Sequence, residues 1–391
     1  MNDSAGRRRI KVVQLTGALD FGGLENVIGH LARGLDPARF DVTVVCTRGI
    51  GTLGEKLRSE GADVVLMSEY KRSRRHLAPI DLYRALRRLR PDIVHSHGEP
   101  PLAAAGPIGY LGLMPYWVHS FHYGNYPYAE AKRMFMERWL SRPASALIAV
   151  ADQQRAAIVK HHRVNPNRIR TVMNGVQPNP FVGDPAHRAR MRAEFGFSES
   201  DRVIGTIAVL SRQKGVTHLL QAAKSVLATS PDVKFLIVGG GPLEQALRKE
   251  AEDLGLGARV HFTGWRKDVQ QILPTFDMFV MSSLWEAMPL TLLEAMAARL
   301  PIVVTDVGDN RNLVGGDGAC GLVVPPADAG ALAAAISRLS ADPKLAAKVG
   351  AQGGAAFEQR FTLGHMVAAH EKFYEEALRG ARPGNRDNSA K

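Results

Sequence analysis

Short apolar runs alternate with longer segments of helical periodicity along most of the chain. The apolar runs are rich in Val and Ile, which favours strands, and their alternation with helices is typical of parallel α/β units. In the first half, strands are predicted at 10–15, 42–46, 64–67, 93–95, 117–120 and 146–150, and helices at 23–34, 52–60, 80–89, 128–140 and 152–161. In the second half, strands are predicted at 203–210, 233–238, 259–262, 278–281, 302–305 and 321–324, and helices at 216–229, 242–254, 267–273, 289–299, 329–340 and 343–359.

The boundary between the two halves is predicted at 176–188, where three prolines interrupt the pattern. A chain of 391 residues is longer than one ordinary hydrophobic core supports, so two domains are expected. We expect a Rossmann-like first domain over 1–178, a Rossmann-like second domain over 186–360, a further helix at 363–379 and a disordered tail over 380–391. Doubly wound sheets bind ligands at the carboxyl ends of their strands, so two facing sheets would enclose a deep inter-domain cleft.

The composition, with 45% hydrophobic and 23% charged residues, is that of a globular protein. Cys46 and Cys320 lie far apart, which indicates no disulfide framework and favours a reducing compartment. The chain passes from a polar start into a strand without a signal-peptide pattern, so we expect a cytoplasmic protein. The most apolar stretch, 101–118, contains three prolines and three glycines and favours a buried helix, a turn and a strand over a membrane span.

The net charge of +12 and the pI near 9.8 bear on partners, not on the fold. Basic residues cluster at 7–9, 71–75 and 84–90, and the segment 117–139 combines aromatic with basic side chains. Three interpretations stay open for the charge: a solvated face, an anionic membrane surface and nucleic acid, the last without any supporting motif. The segment 117–139 suits an interfacial helix, an acceptor-binding wall or plain core packing. Peripheral attachment to the inner face of a membrane is therefore one expectation.

Two carboxylates dominate residues 281–306, which combine a strand, a short turn, a helix and a second strand. Glu286 lies in the turn, and Glu294 lies among apolar residues of the helix, where a carboxylate is expected to be partly buried. Pro289 is predicted in the first helical turn, where a missing N–H costs nothing. The free amides of that turn suit negative groups, and the carboxylates suit sugar hydroxyls. The alternative is a solvated loop acid and an ordinary helix-surface acid.

Three strand–helix turns carry glycine or cations. Gly22 and Gly23 follow the first strand, where glycine lets the backbone approach an anion, although most such pairs are simple turns. Arg212 and Lys214 follow the strand that opens the second half and suit a diphosphate, or are surface charges. Gly240 lies in a glycine run that ends at a proline, without the spacing of a dinucleotide fingerprint, and is expected to let the chain pass close to the cleft.

Four histidines fall near the ends of first-half strands: His95, His97, His119 and His122. No Cys, Asp or Glu is interleaved with them at metal-ligand spacing, and each alone is more often packed or solvated. An Asp-x-Asp pair, which a metal-dependent nucleotide-sugar enzyme uses for Mg²⁺ or Mn²⁺, is not found in the sequence. We therefore predict no metal site and no cofactor, and we place His122 at the reacting centre.

Taken together, these motifs resemble those of the retaining glycosyltransferases of family four, which have the GT-B fold. The resemblance covers nearly the whole chain. It is carried by GGLE at 22–25, VMNGV at 172–176, LSRQKG at 210–215, VGGGP at 238–242, FTGWRKDV at 262–269, the two acids Glu286 and Glu294 with seven residues between them, and GLVVPPADAGALAAAI at 321–336. Each motif is weak alone, and the combination in this order is specific.

The resemblance implies a role for each candidate residue. Glu286 would meet the hydroxyls of the donor sugar, Glu294 would hold the ribose, and His122 would lie beside the anomeric centre. The diphosphate would be bound by Gly22, Gly23, Arg212 and Lys214. The sugar would be lined by Ala287, Met288, Pro289 and Leu290, and the base would be contacted by Gly264 and Trp265. The first domain would bind the acceptor and the second domain the nucleotide-sugar donor, and the terminal helix would pack back on the first domain.

The resulting hypothesis is transfer of a hexosyl group, with retention of configuration, from a UDP- or GDP-linked sugar to a lipid-linked or polysaccharide acceptor. Arg212, Lys214 and loop amides would stabilise the leaving group without a metal. Two alternatives stay open: a phosphorylase or epimerase of the same architecture, and a non-catalytic nucleotide-sugar-binding or membrane scaffold protein. Intact candidate residues argue against the scaffold.

Overall fold

The computed structural model describes residues 8–20, 22–70, 78–124, 131–316 and 318–380. These residues form two compact units. The first unit takes in the described residues up to Gly175 and the helix that begins at Leu363, and the second runs from Val176 to Thr362. The sequence placed the corresponding domain limits at 178 and 186.

The first unit contains a seven-stranded parallel sheet in the order β3-β2-β1-β4-β5-β6-β7. Its strands are β1 Ile10–Ala18, β2 Phe40–Gly49, β3 Asp63–Leu66, β4 Ile93–His97, β5 Tyr116–Phe121, β6 Ala146–Ala149 and β7 Ile169–Thr171. Its helices are α1 Gly23–Gly34, α2 Gly51–Ser59, α3 Ala78–Leu89, α4 Glu99–Tyr110, α5 Ala131–Ser141 and α6 Asp152–His162. The central strands β4 and β5 contain no Asp, Glu, Lys or Arg, as expected where helices cover both faces of a parallel sheet.

The second unit contains a six-stranded parallel sheet in the order β10-β9-β8-β11-β12-β13. Its strands are β8 Arg202–Ile207, β9 Val233–Val238, β10 Val260–Phe262, β11 Met278–Met281, β12 Ile302–Thr305 and β13 Leu322–Val324. Its helices are α7 Pro185–Glu194, α8 Val216–Thr229, α9 Glu244–Asp253, α10 Val269–Ile272, α11 Leu290–Ala297, α12 Asn310–Leu313, α13 Ala329–Ala341 and α14 Pro343–Arg360. Two parallel sheets flanked by helices confirm the predicted α/β class.

The last helix, α15 Leu363–Gly380, belongs to the first unit. Tyr374 is fully buried there and accepts a hydrogen bond from the side-chain amide of Gln14 in β1 at 3.0 Å. At the rim of this contact, the guanidinium of Arg39 pairs with Glu371 at 2.8 Å and with Glu375. The helix therefore completes the core of the first unit.

Several predicted elements differ from the observed ones. The stretch 176–188 was predicted as a linker, but α7 begins inside it because Pro185 occupies the first turn and Asp184 caps it. The three-residue strand β7 and the short helix α12 had no counterpart in the prediction. The stretch 101–118 forms most of α4, a turn and the start of β5, as predicted. The basic cluster at 71–75, residues 128–130 of the predicted helix and 381–391 of the predicted tail lie outside the described residues.

Both cysteines are buried and free, as expected for a chain without a disulfide framework. Among the described residues, no helix combines the length and the apolar character that crossing a membrane requires.

Candidate functional site

Two loops of the second unit meet where the adjacent strands β8 and β11 end. The amide of Leu284 donates to the carbonyl of Gln213 at 2.7 Å, and the Ser282 hydroxyl donates to the carbonyl of Lys214 at 2.9 Å. Gly215 makes this approach feasible, since it has φ +56° and a Cβ atom there would lie 2.3 Å from the carbonyl oxygen of Ser282. These contacts hold residues 213–215 against residues 282–284.

Glu286 lies at this edge and is 5% exposed. Its carboxylate accepts from the ammonium of Lys214 at 2.5 Å, from the Ser283 hydroxyl at 2.7 Å and from the side-chain amide of Gln213 at 3.3 Å. A buried charge needs such compensation, because desolvation of a lone carboxylate costs several kcal/mol. The structure therefore brings two predicted site residues, Glu286 and Lys214, into direct contact.

The segment that follows Glu286 is buried from Ala287 through Leu290. The carbonyl of Glu286 is approached closely by Gly308, where a Cβ atom would lie 2.2 Å from that oxygen at φ +52°. Pro289 was predicted inside the first helical turn, but it is the N-cap of α11 with extended backbone, and the helix begins at Leu290. The free first-turn amides consequently start after the proline.

Glu294 lies in the middle of α11 and is half-buried among apolar neighbours. Burial raises the pKa of its carboxyl group to about 7. The predicted partial burial of this acid is confirmed. Near neutral pH the group changes its charge readily, so a ligand that donates hydrogen bonds to the carboxylate would favour the ionised form.

The glycine turn after β9 contacts the turn after β10. The amide of Gly239 donates to the carbonyl of Gly264 at 3.0 Å, and a Cβ atom on Gly240 would lie 2.5 Å from the ring of Trp265. The indole of Trp265 is 61% exposed. The structure thus groups Gly240, Gly264 and Trp265, and it leaves an aromatic face open to solvent. The side chain of Arg212 is likewise exposed.

In the first unit, Gly22 is the N-cap of α1 and Gly23 begins this helix. Gly22 has extended backbone, and its Cα lies close enough to Glu25 that a Cβ atom would meet the carboxylate at 2.2 Å. Burial raises the pKa of Glu25. An acid folded over a helix N-terminus is favourable electrostatically, and an incoming anion would have to displace it.

His122 follows β5 and is half-buried. Its Nε2 lies 3.0 Å from Nδ1 of His97, which is buried. Burial, and then the charge of His370, lower the pKa of His122 to about 3. The imidazole is therefore neutral at physiological pH. No group of three or more His, Cys, Asp or Glu among the described residues is arranged to hold a metal ion.

Some contributors were not singled out from the sequence. Gln213 and Ser283 lie within the predicted site segments without being predicted as site residues, yet both hydrogen-bond Glu286. The spacing Ser283-x-x-Glu286 resembles a local side-chain turn and is the signal that was available. Gly308 gave no signal, because its contact with Glu286 arises from the pairing of β11 with β12.

Comparison with known proteins identifies the family. Residues 21–179 match Glycosyltransferase Family 4, and residues 187–355 match Glycosyl transferases group 1. The chain belongs to these glycosyltransferases. The predicted resemblance is confirmed on both halves of the chain.

The individual relatives share about a third of their residues with this chain over the aligned segments. The Escherichia coli UDP-Gal:alpha-D-GlcNAc-diphosphoundecaprenol alpha-1,3-galactosyltransferase is 30% identical over 247 residues, which are 60% of this chain and 63% of that protein. The Mycolicibacterium smegmatis GDP-mannose-dependent alpha-(1-6)-phosphatidylinositol monomannoside mannosyltransferase is 34% identical over 190 residues, 46% of this chain and 49% of that protein. The match thus spans less than two thirds of either relative.

Among solved structures, Anabaena HepE in complex with UDP-glucose has a TM-score of 0.84 at 20% identity, with 94% of this chain and all of that chain covered. WaaG, a glycosyltransferase involved in lipopolysaccharide biosynthesis, has a TM-score of 0.72 at 18% identity, with 93% and 99% covered. Likeness at this level of identity establishes the fold of this glycosyltransferase.

Proposed function

We propose that this protein transfers a hexosyl group from a nucleoside-diphosphate sugar to a lipid-linked or glycan acceptor, with retention of configuration and without a metal. The observation that carries the proposal is the buried Glu286 carboxylate, paired with Lys214 at the carboxyl ends of β8 and β11. Ligands of doubly wound sheets bind at this edge. An acid and a cation held there offer complementary partners for sugar hydroxyls and for phosphate.

The ion pair accounts for how a donor would be received. Sugar hydroxyls that donate to Glu286 would replace part of the compensation that Lys214 now supplies at 2.5 Å. The ammonium would then be available to the diphosphate, where charge grows as the glycosidic bond breaks. Ser283 and Gln213 hold the carboxylate in place in either state. The Glu286 carboxylate would then be compensated by the sugar hydroxyls, and the Lys214 ammonium by the diphosphate, so that neither buried charge is left without a partner.

The remaining residues fit the same donor. Arg212 would join Lys214 on the diphosphate, as would the amides at Gly22 and Gly23. Cations already in the chain would replace a metal at the leaving group. Glu294 would accept from the ribose, and the exposed indole of Trp265, next to Gly264, offers a face for a base.

His122 would contact the sugar as a neutral imidazole. No carboxylate is assigned as a nucleophile, since Glu286 is committed to the hydroxyls. A front-face route is therefore proposed, in which the departing phosphate accepts the proton of the acceptor hydroxyl. The bond from the anomeric carbon to the phosphate oxygen breaks on the face where the acceptor oxygen bonds, so configuration is retained.

The donor is proposed to be UDP- or GDP-linked. HepE was solved with UDP-glucose, and the two relatives compared above are named for UDP-Gal and for GDP-mannose. Their acceptors are named as a diphosphoundecaprenol and a phosphatidylinositol mannoside, which supports a lipid-linked acceptor here.

An exposed surface of the first unit combines the apolar and basic side chains that suit attachment to a membrane. Six large apolar side chains at the end of α4, in the turn that follows it and on α5 are exposed: Tyr110, Leu111, Leu113, Phe135, Met136 and Trp139. Exposed aromatic groups beside Lys132 and Arg142 suit the headgroup region of an anionic bilayer. We propose peripheral attachment of a cytoplasmic protein through this apolar–basic surface.

The test is Glu286→Gln, which keeps the shape of the side chain and its contact with Ser283 but removes the charge. We expect transfer to fall by about 100-fold or more, in the range seen when one transition-state contact is removed. Thermal shifts should still report binding of the free nucleoside diphosphate. Glu358→Gln is the control, since Glu358 is exposed and pairs with Arg299. Full activity in Glu286→Gln would refute the assignment, whereas donor binding without turnover on any acceptor in the parent protein would favour a scaffold.

A further inference from the structure

A chain of buried polar groups runs through the first unit beneath His122. It consists of Gln14 from β1, His95 and His97 from β4, Ser120 from β5 and Tyr374 from α15, each at most 1% exposed. Buried polar groups of this kind are hydrogen-bonded, and every link can be followed.

The links form one continuous path. From His122, Nε2 lies 3.0 Å from Nδ1 of His97, and Nε2 of His97 lies 2.7 Å from the amide oxygen of Gln14. The amide nitrogen of Gln14 lies 3.0 Å from the hydroxyl of Tyr374. The path then continues from that hydroxyl to Nδ1 of His95 at 2.6 Å, and from Nε2 of His95 to Ser120 Oγ at 2.7 Å.

The orientation of the Gln14 amide gives the path a direction. Its oxygen only accepts, so His97 must donate from Nε2, and a neutral imidazole then has an unprotonated Nδ1. That nitrogen accepts from Nε2–H of His122. The neutral state is supported by burial, which holds the pKa of His97 well below its usual range and that of His122 at about 3.

The other half of the path obeys the same rule. The amide nitrogen of Gln14 only donates, so Tyr374 receives that hydrogen bond and gives its own proton to Nδ1 of His95. His95 then donates from Nε2 to Ser120. Every proton is assigned once, and none of the six groups is left with two donors facing each other.

We propose that Gln14, His97 and Tyr374 are positioning residues that hold His122 in its Nε2–H tautomer, with Nδ1 presented as a hydrogen-bond acceptor. A group that binds Nδ1 must then be a donor, such as a sugar hydroxyl, and not an anionic oxygen. The identity of that group rests on the function proposed above, but the tautomer does not. The last helix thereby acts on the site through Tyr374.

The opposite direction is also consistent as a chain. If the Gln14 amide were turned over, every proton would shift by one position, and His122 would carry its proton on Nδ1. In the observed orientation the Tyr374 oxygen accepts from the amide nitrogen of Gln14, and this contact helps to hold the amide in that orientation. Removal of that oxygen should therefore allow both tautomers of His122. A role of Tyr374 in packing alone would leave the tautomer unchanged.

The experiment uses the full chain with ring-¹⁵N-labelled histidine, and correlations through the imidazole identify which nitrogen carries hydrogen. The signal of His122 is identified by its loss in His122→Asn. We expect only the Nε2–H tautomer in the parent and a mixture in Tyr374→Phe. Gln14→Met, which leaves α15 unchanged, should give the same mixture if Tyr374→Phe fails to fold. Phe373→Leu is the matched control, since this neighbour on α15 is buried but apolar, and it should retain the parent tautomer.

Turnover supplies the second readout. In Tyr374→Phe we expect kcat to fall roughly tenfold, the size of effect seen when a hydrogen-bond partner behind a functional histidine is removed. Nucleotide affinity should stay unchanged. An Nδ1–H tautomer in the parent, or a parent-like tautomer in both Tyr374→Phe and Gln14→Met, would overturn the proposal. If the tautomer behaves as expected but no sugar is transferred by the parent, the positioning role stands and the proposed function fails.

Discussion

At the residue scale, the proposed donor site depends mainly on the ion pair between Lys214 and Glu286. Both residues were predicted from sequence as site residues, each for a different part of the donor. Their contact with each other could not be predicted, because it depends on the pairing of β8 with β11, which are far apart in the chain. The same holds for Gln213 and Ser283, which complete the shell around the carboxylate.

A double-mutant cycle measures this pair. Lys214→Met leaves a buried carboxylate without its cation, and we expect a loss of about 3 kcal/mol in the free energy of unfolding. In Lys214→Met with Glu286→Met, both charges are gone, so the total loss should be smaller than the sum of the two single losses by about 1–3 kcal/mol. Urea denaturation of the four proteins checks this. Additive losses would show that the pair is not coupled.

At the element scale, the sequence predicted the long apolar strands and helices well. Val233–Val238, Met278–Met281 and Ile302–Thr305 match the observed strands at both ends, since each is apolar apart from Lys234 and Thr305 and is bounded by polar or turn residues. The short elements β7 and α12 escaped, because three or four residues carry too little periodicity. The helix α7 was not predicted, because three closely spaced prolines indicate a break, whereas Pro185 lies in the first turn of a helix capped by Asp184.

The loop around Gly215 gives a prediction at this scale. In Gly215→Ala, the new Cβ atom would lie 2.3 Å from the carbonyl oxygen of Ser282, so the two loops must separate. We expect a loss of about 2 kcal/mol or more, made up of the left-handed backbone and the clash, together with reduced nucleotide binding. Gly112→Ala is the control: it also has positive φ but nothing within 4 Å, so only the backbone cost of about 1 kcal/mol should appear. Equal losses in the two variants would contradict the close approach.

The buried histidines of β4, β5 and α15 predict acid sensitivity. Burial lowers the pKa of His119 to about 3 and that of His370 to about 4, whereas the unfolded chain titrates near 6.5. Below 6.5 the unfolded chain takes up protons that the folded protein cannot, so stability is full above this pH and is lost as the pH falls towards 4. Each such histidine adds a slope of about 1.4 kcal/mol per pH unit.

Urea denaturation between pH 7.5 and pH 4.5, at fixed ionic strength, would follow this loss. In His370→Gln the free energy of unfolding should depend less steeply on pH than in the parent. One buried imidazole of α15, which lies beside His95 of β4, is removed. A free energy of unfolding that is constant over this range would contradict the neutral, buried state of the cluster.

At the scale of the whole molecule, a net charge of +12 and the apolar–basic surface of α4 and α5 act together. We expect binding to vesicles to rise with their anionic lipid content and to weaken with salt, since exposed charges are screened within about 10 Å at 0.1 M. Phe135→Ser with Trp139→Ser should reduce binding severalfold, because both side chains are exposed aromatics of α5. Val182→Ser, an exposed apolar change in the second unit, is the control. Cosedimentation that does not depend on anionic lipid would contradict the attachment.

The most direct measurement of the central claim is the configuration of the product. The parent protein is incubated with α-linked UDP- and GDP-sugars and a lipid-linked acceptor in the presence of a chelator, and the anomeric coupling of the product is read by NMR. We expect an α-linked product, release of nucleoside diphosphate only when the acceptor is present, and no loss of rate with the chelator. A β-linked product would contradict retention, and activity abolished by the chelator would contradict the role given to Lys214 and Arg212.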